Sequence, residues 1–252
     1  MGRNIGFGVD VGGSGIKGGI VDLDTGELVG ERIKLLTPKP ATPQAVAETI
    51  VKVVDKAEWS GPIGITVPSV VRNQTALLAA NIDPSWVNTD CQELFSAVFG
   101  PDRSVHVLND ADAAGLAEVQ YGHPEARQGA VILLTFGTGI GAALLNDGAL
   151  YPNAELGHLV IDGQEAEHFA SARVKEVEGL SFEEWVPRVS KVLRTYEALF
   201  WPQLFIVGGG ISREHEKWVP NLDCRTPVIP AKLHNNAGIA GAALAAHRGL
   251  LP

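Results

Sequence analysis

Apolar positions open the chain in short runs broken by glycine. Ile5-Gly6-Phe7-Gly8-Val9-Asp10-Val11 predicts a strand, Gly12-Gly13-Ser14-Gly15 a turn, and Ile16 to Val21 a second strand closed by Asp24-Thr25-Gly26. Leu28 to Leu36 predicts a third strand, so the first elements form a meander. After Pro38, Pro40 and Pro43 the period changes, and Val46, Ile50, Val53 and Val54 fall on one face of a helix over 44–57. A strand at Ile63–Val67 ends at Pro68, and the stretch 69–90 has the irregular pattern of a surface or cleft loop. A helix at 92–99, a strand at 104–108 and a helix at 110–119 follow.

The theme then restarts. Ala130–Phe136 predicts a strand, Gly137-Thr138-Gly139 a turn, Ile140–Leu145 a strand, and Asn146-Asp147-Gly148 a turn into a third short strand. Residues 5–28 and 130–150 therefore share one supersecondary plan, an internal repeat that predicts two related lobes. Helices are expected at 167–178, 181–200 and 237–247, with strands at 203–207 and 226–229. Alternating strands and helices after each meander make the chain α/β. The expected lobes are 1–108 and 109–252, each with one glycine turn.

Composition narrows the function classes. Of the 252 residues, 45% are hydrophobic and 19% charged, as in a globular protein, and no apolar run reaches the roughly 18 residues a membrane helix needs. The start, Met-Gly-Arg-Asn, carries no leader pattern. The two cysteines, Cys91 and Cys224, lack metal-type spacing, and a reducing cytoplasm is expected. A net charge of −9 argues against general nucleic-acid binding.

Gly13-Ser14-Gly15-Ile16-Lys17-Gly18 matches the G-x-G-x-x-G dinucleotide pattern to the letter, and Gly137 to Ala142 matches its variant. That fold needs a helix opening directly after the glycines. Here β-branched and glycine-rich runs follow, so the better reading is two hairpins whose turns offer backbone N–H groups to phosphate oxygens. Glycine is expected there for close approach to the anion and for positive φ angles. Ser14, Thr135 and Thr138 can add hydroxyl donors and Lys17 a point charge.

Asn109-Asp110-Ala111-Asp112 stands where a strand becomes a helix, the end at which open α/β sheets place ligands. Asp112 can serve the helix cap or dipole and leave Asp110 to face a cleft. Asn153-Ala154-Glu155-Leu156-Gly157-His158 brings an amide, a carboxylate and an imidazole together, a fork suited to sugar hydroxyls. Taken alone, Asp110 is equally a cap and His158 equally a structural histidine.

Together these residues resemble the ROK family of sugar kinases, which share the two-lobed actin/hexokinase-like (ribonuclease H-like) ATPase fold with its duplicated βββαβα core. Asp10 to Lys17 is similar to the family's first phosphate motif, Leu134 to Gly141 to its second, and Phe205 to Ser212 to its nucleotide-side motif. Asn109-Asp110 and Glu155-Leu156-Gly157-His158 match its base and sugar positions, and Glu167 falls where its last sugar-binding glutamate sits. Most members carry a cysteine-rich zinc segment after the Glu-Leu-Gly-His stretch; residues 162–171 hold no cysteine. That zinc-free form, with Leu35 to Pro43, Leu108 to Gly115 and Lys217 to Pro220, resembles the family's polyphosphate-using glucokinases. Ser69 departs from the small Gly or Ala of many relatives.

The resemblance implies phosphoryl transfer from inorganic polyphosphate or ATP to the 6-hydroxyl of glucose, with Asp110 as general base. It implies sugar contacts from Asn81, Asn109, Asp110, Glu155, His158 and Glu167, and phosphate or ATP contacts from Asp10, Gly12, Gly13, Ser14, Gly15, Lys17, Thr135, Gly137, Thr138, Gly139, Gly209 and Gly210. No resident metal site is expected, but Mg²⁺ should accompany the donor, near Asp10. Lys17, Lys34, Lys39, Arg213, Lys217, Arg225 and Lys232 are candidate polyphosphate cations, and a homodimer is implied. The alternatives are an ATP-only glucokinase or mannokinase of the same family and a sugar-sensing regulator.

Overall fold

The computed structural model describes residues 3–80 and 82–251. Asn81, an expected sugar contact, lies outside the described residues.

The first sheet is built as the pattern predicts. Strands β1 (Ile5–Val11), β2 (Ile16–Asp22) and β3 (Leu28–Leu35) form an antiparallel meander, and α1 (Pro43–Lys56) lays Val46, Ile50, Val53 and Val54 on it. Thr42 caps α1, accepting from the Ala45 N–H. β4 (Ile63–Val67) adds parallel to β1. The stretch expected to be irregular holds three two-residue strands, β5 (Val71–Arg72), β6 (Thr75–Ala76) and β7 (Thr89–Asp90), paired as a small sheet of their own. Strands this short carry no readable period, so the pattern could not show them. α2 (Cys91–Phe99), β8 (Val105–Asn109) and α3 (Asp110–Tyr121) follow. The sheet order is β3-β2-β1-β4-β8, with β8 parallel to β4.

The second sheet repeats this order. β9 (Ala130–Phe136), β10 (Ile140–Asn146) and β11 (Ala149–Tyr151) form the meander. After β12 (Val160–Ile161) and β13 (Gln164–Glu165) come α4 (Ala166–Ala170), α5 (Ala172–Val177) and α6 (Phe182–Phe200). β14 (Leu204–Gly208) and β15 (Val228–Pro230) complete the order β11-β10-β9-β14-β15. The single helix expected at 167–178 is two, because Ser171 takes an extended conformation and its side chain caps α5. Phe136, Trp185 and Trp218 pack edge-to-face at 5.1–5.8 Å in the core under this sheet.

The last helix, α7 (Ala237–Arg248), corrects the expected division at 108/109. The chain forms two compact units, one of 1–121 plus 236–252 and the other of 122–235. Both α3 and α7 belong to the first. Nine α7 residues are buried, all alanine, glycine, isoleucine or leucine. Glycines permit its close seat: a Cβ on Gly8 would lie 1.9 Å from the Ile239 carbonyl oxygen, and one on Gly241 1.8 Å from that of Ala113. A helix buried on most sides shows no amphipathic stripe, and nothing in its own pattern says which sheet it covers.

Candidate active site

In the first unit the glycine turn joins β1 to β2. The Gly12 N–H donates to the Gly15 carbonyl at 3.1 Å, and the Thr37 hydroxyl fixes the Gly12 carbonyl at 2.5 Å. Gly13 and Ser14 form the exposed tip, and nothing lies within 4 Å of where a Gly13 Cβ would be. The expected positive φ is absent at Gly12, Gly13 and Gly15, and equally at Gly137 and Gly139. Gly13 and Gly137 leave open space at the turns, and at Gly15 a Cβ would lie 2.8 Å from Lys34 Cε; none of them supplies a left-handed bend. Beside the tip is a cavity of about 250 Å³ bordered by Gly12, Gly13, Thr37, Lys39 and Asp83.

Asp10, at the end of β1, accepts from the Thr66 hydroxyl at 3.1 Å and from Lys17 Nζ at 3.2 Å. Lys17 is thus committed to this carboxylate. The start of α7 also faces it, since a Cβ on Gly238 would be 3.0 Å from Asp10 Oδ1, and a helix N-terminus favours a nearby anion. A partly exposed hard-oxygen donor next to a phosphate-type turn fits Mg²⁺, which takes one or two carboxylates together with substrate phosphates.

At the end of β8 the cap is Asn109, not Asp112. Asn109 Oδ1 accepts from the N–H groups of Ala111 (2.8 Å) and Asp112 (3.1 Å), and its Nδ2 donates to the Ser69 carbonyl at 3.2 Å. Asn109 is 7% exposed, and its side chain joins the start of α3 to Ser69. Asp112 is fully buried in the first turn. Asp110 is half-buried, with Oδ1 accepting from the Ala111 N–H at 2.9 Å. The cap that competed with the base reading of Asp110 is therefore filled by its neighbour.

In the second unit the glycine turn joins β9 to β10, with the Gly137 N–H donating to the Gly139 carbonyl at 3.0 Å. The Arg173 N–H at the start of α5 donates to the Gly137 carbonyl at 3.0 Å. Gly137 and Thr138 are exposed and Thr135 is half-buried. Gly209 follows β14 with φ +84°, and a Cβ there would lie 2.2 Å from the Phe136 carbonyl oxygen, so that corner requires glycine twice over. Gly210 is open above it.

Glu155, His158 and Glu167 come together in this unit. A 3₁₀ turn, Leu156–His158, seats the first two, and Tyr196 Oη donates to the Leu156 carbonyl at 2.7 Å. Gly157 is required because a Cβ would meet the Ile140 carbonyl oxygen at 2.2 Å. Glu167, 6% exposed, accepts from the Ile140 N–H at 3.2 Å, which ties it to the strand leaving the glycine turn. His158 Nε2 is 3.7 Å from Glu155, and its Nδ1 is 3.1 Å from Glu165 Oε2. Sequence reasoning missed Glu165 as the partner that orients this ring; the short spacing from His158 was the available signal. His158, Glu165 and Glu167 also bring one ligand atom each within 4.8 Å of one another. Their contacts are those of an imidazole held among carboxylates.

Burial pushes the Glu155 carboxyl up, the His158 charge pulls it partly back, and the Glu167 charge adds to the rise. At His158 burial is the largest single influence and opposes the charge. The Glu165 hydrogen bond and the charges of Glu167, Glu155 and Glu165 outweigh it, so the pKa rises above 6.5. A histidine raised on folding stabilises fully below its unfolded pKa and loses that contribution as pH climbs through the folded one. The melting-temperature advantage of wild type over His158→Gln should therefore be larger near pH 6 than near pH 8.5. An advantage that grows with pH would contradict this electrostatic account.

The remaining basic candidates scatter in their local partners. Lys217 pairs with Glu214, and Arg225 lies 3.7 Å from Glu197 and over the Trp201 ring. Lys34 packs on Gly15, Lys39 borders the cavity, and Arg213 and Lys232 are exposed.

Residues 6–170 match the ROK family. The chain belongs to the ROK family. Its fold is the family's actin/hexokinase-like α/β fold. This ROK chain is 56% identical to the polyphosphate glucokinase of Mycobacterium tuberculosis (strain CDC 1551 / Oshkosh) over 240 residues, covering 95% of this chain and 90% of that one. It is 52% identical to the polyphosphate glucokinase of Mycobacterium leprae (strain TN), covering 96% and 75%. Among solved structures it is similar to the inorganic polyphosphate/ATP-glucomannokinase of Arthrobacter sp. strain KM, at TM-score 0.92 and 48% identity, covering 99% and 100%. A ROK family glucokinase from Streptomyces griseus, solved with glucose and AMPPNP, superposes at TM-score 0.83 with 25% identity, covering 98% and 100%.

Proposed function

We propose that this ROK protein transfers the terminal phosphoryl group of inorganic polyphosphate, and of ATP, to the 6-hydroxyl of glucose, giving glucose 6-phosphate. The observation that carries the substrate assignment is the 56% identity, over 95% of the chain, to a protein named polyphosphate glucokinase. The glycine turns, repeated in the same place of two sheets of the same order, support the reaction type.

Phosphoryl transfer asks the protein for positioning and charge neutralisation more than for covalent chemistry. The turns at Gly12–Gly15 and Gly137–Gly139 offer backbone N–H groups to the donor phosphates, with hydroxyls from Ser14, Thr135 and Thr138, and Gly209 and Gly210 take the nucleotide side. Lys17 stays near Asp10 and adds positive charge beside the first turn. Asp10 is the residue that would hold donor-bound Mg²⁺, which supplies charge neutralisation on the phosphates.

Glu155, His158 and Glu167 hold sugar hydroxyls as acceptors and, in the charged imidazole, as donor. Asn81 belongs to the same proposal. Asn109 acts on the sugar through the backbone it caps and through any remaining donor capacity of its amide. Asp110 accepts the proton of the 6-hydroxyl as its oxygen attacks the terminal phosphorus. The bond to the bridging oxygen breaks, and the donor leaves shortened by one phosphate.

Among the described residues, no helix is long and apolar enough to cross a membrane. Cys91 and Cys224 are unpaired, which supports a reducing cytoplasm as the place of action. The family resemblance supports a homodimer.

The test is a coupled assay for glucose 6-phosphate with purified protein, Mg²⁺ and either polyphosphate or ATP at matched phosphoryl concentration. Turnover with both donors is expected. Turnover with ATP alone would replace the donor assignment, and no glucose-dependent turnover with either would overturn the reading.

A further inference from the structure

β8 is the edge strand of the first sheet, bonded on one side to β4. Edge strands leave alternate backbone N–H and C=O groups without a ladder partner. At Val107 both of those groups are taken by one side chain. The Val107 N–H donates to Gln74 Oε1 at 2.8 Å, and Gln74 Nε2 donates to the Val107 carbonyl at 3.0 Å. The amide closes on Val107 as a neighbouring strand would, but with a single residue.

Gln74 is 6% exposed, and its backbone is fixed as well, since its carbonyl accepts from the Cys91 N–H at 2.9 Å. It stands second in the two-residue turn between β5 and β6, where Asn73 has φ 48° and Gln74 φ 60°. Two central residues with positive φ make a type I′ turn, whose second position favours glycine. A long side chain held in that conformation carries backbone strain that the surroundings must offset, and here the offset is the paired amide.

Two residues beyond Val107, Asn109 ties to the same segment through Nδ2 and the Ser69 carbonyl. Ser69 is itself held, its Oγ accepting from the Leu78 N–H at 3.2 Å. The outer edge of β8 is thus clamped at Val107 and Asn109, immediately before Asp110.

We propose that Gln74 is a positioning residue for phosphoryl transfer: its amide fixes the free edge of β8 and through it the placement of Asp110. The proposal rests on Asp110 as the general base. A displacement of about 1 Å can cost on the order of 10²-fold in rate, so a clamp three residues upstream of the base is well placed to govern kcat.

The decisive variant is Gln74→Gly. It removes the amide while supplying the residue that the turn favours, so folding is retained. Three measurements go together: kcat and KM for glucose, the same values in the Asp110→Asn background, and amide exchange at Val107. We expect Gln74→Gly to lower kcat roughly 10-fold to 10²-fold with the glucose KM nearly unchanged. The loss should vanish when Asp110 is already Asn, because residues acting as one unit are not additive. The Val107 amide should exchange faster, and Gln74→Glu, which keeps the acceptor but loses the donor, should fall between. An unchanged kcat in folded Gln74→Gly overturns the proposal, as does an equal loss in both backgrounds. Near-normal turnover of Asp110→Asn alone would remove the base reading and this proposal with it, and it is told apart by being seen with Gln74 intact.

Discussion

Asp110→Asn should fold as wild type does and lose about 10²–10⁴-fold in kcat, the usual worth of a general base. Folding is spared for two reasons visible in the structure. An amide keeps an oxygen that can accept from the Ala111 N–H, and the cap of α3 is supplied by Asn109. What the substitution removes is a carboxylate able to take a proton as the sugar oxygen attacks. The glucose KM should change far less than kcat, because the hydroxyl contacts assigned to Glu155, His158 and Glu167 remain. Steady-state kinetics with each donor, beside a thermal melt, separates the two effects. Turnover near wild type would leave Asp110 as a bystander and transfer the base role elsewhere.

The features that were legible in the sequence are those that repeat or alternate. The two glycine turns could be recognised because each stands between two seven-residue strands, and both sheets adopt the same order. Glu155, His158 and Glu167 are near one another in the chain, and they meet in space. Asp110 was legible as a position at a strand end but not as a role, because Asp110 and Asp112 both suit the cap of the helix that follows. Only the side-chain geometry shows that Asn109 takes it.

Other features lie outside what a pattern can carry. The division at 108/109 failed because α7 joins the first unit across more than a hundred residues of intervening chain, and its alanines and glycines name no partner. Gln74 gave no signal, since a polar residue after Asn73 reads as a turn and the burial of its amide is a tertiary fact. The glycines of the phosphate turns were found for a partly wrong reason. Gly13 and Gly137 leave open space and Gly15 admits Lys34, whereas the left-handed angle is found at Gly209, just after β14, where the chain passes against Phe136.

The close seat of α7 makes Gly64→Ala a severely damaging small substitution in the first unit. Gly64 lies in β4, and a Cβ there would be 1.9 Å from the Ala242 carbonyl oxygen, where ordinary contact begins near 3.4 Å. The obstacle is helix backbone, so no rotamer change relieves it and α7 must move off the sheet by more than an ångström. That movement loosens the contacts of Gly8 with Ile239 and of Gly241 with Ala113, which depend on the same approach. It also withdraws the start of α7 from Asp10. A cost of about 3–5 kcal/mol is expected, at or above the upper end for overpacking because the neighbour cannot yield. At this chain length that corresponds to a fall in Tm of roughly 6–20 °C. Calorimetry on Gly64→Ala beside wild type measures it, with turnover of the folded fraction reporting on Asp10. A melt within about 2 °C of wild type would mean that β4 and α7 do not approach as the structure has them.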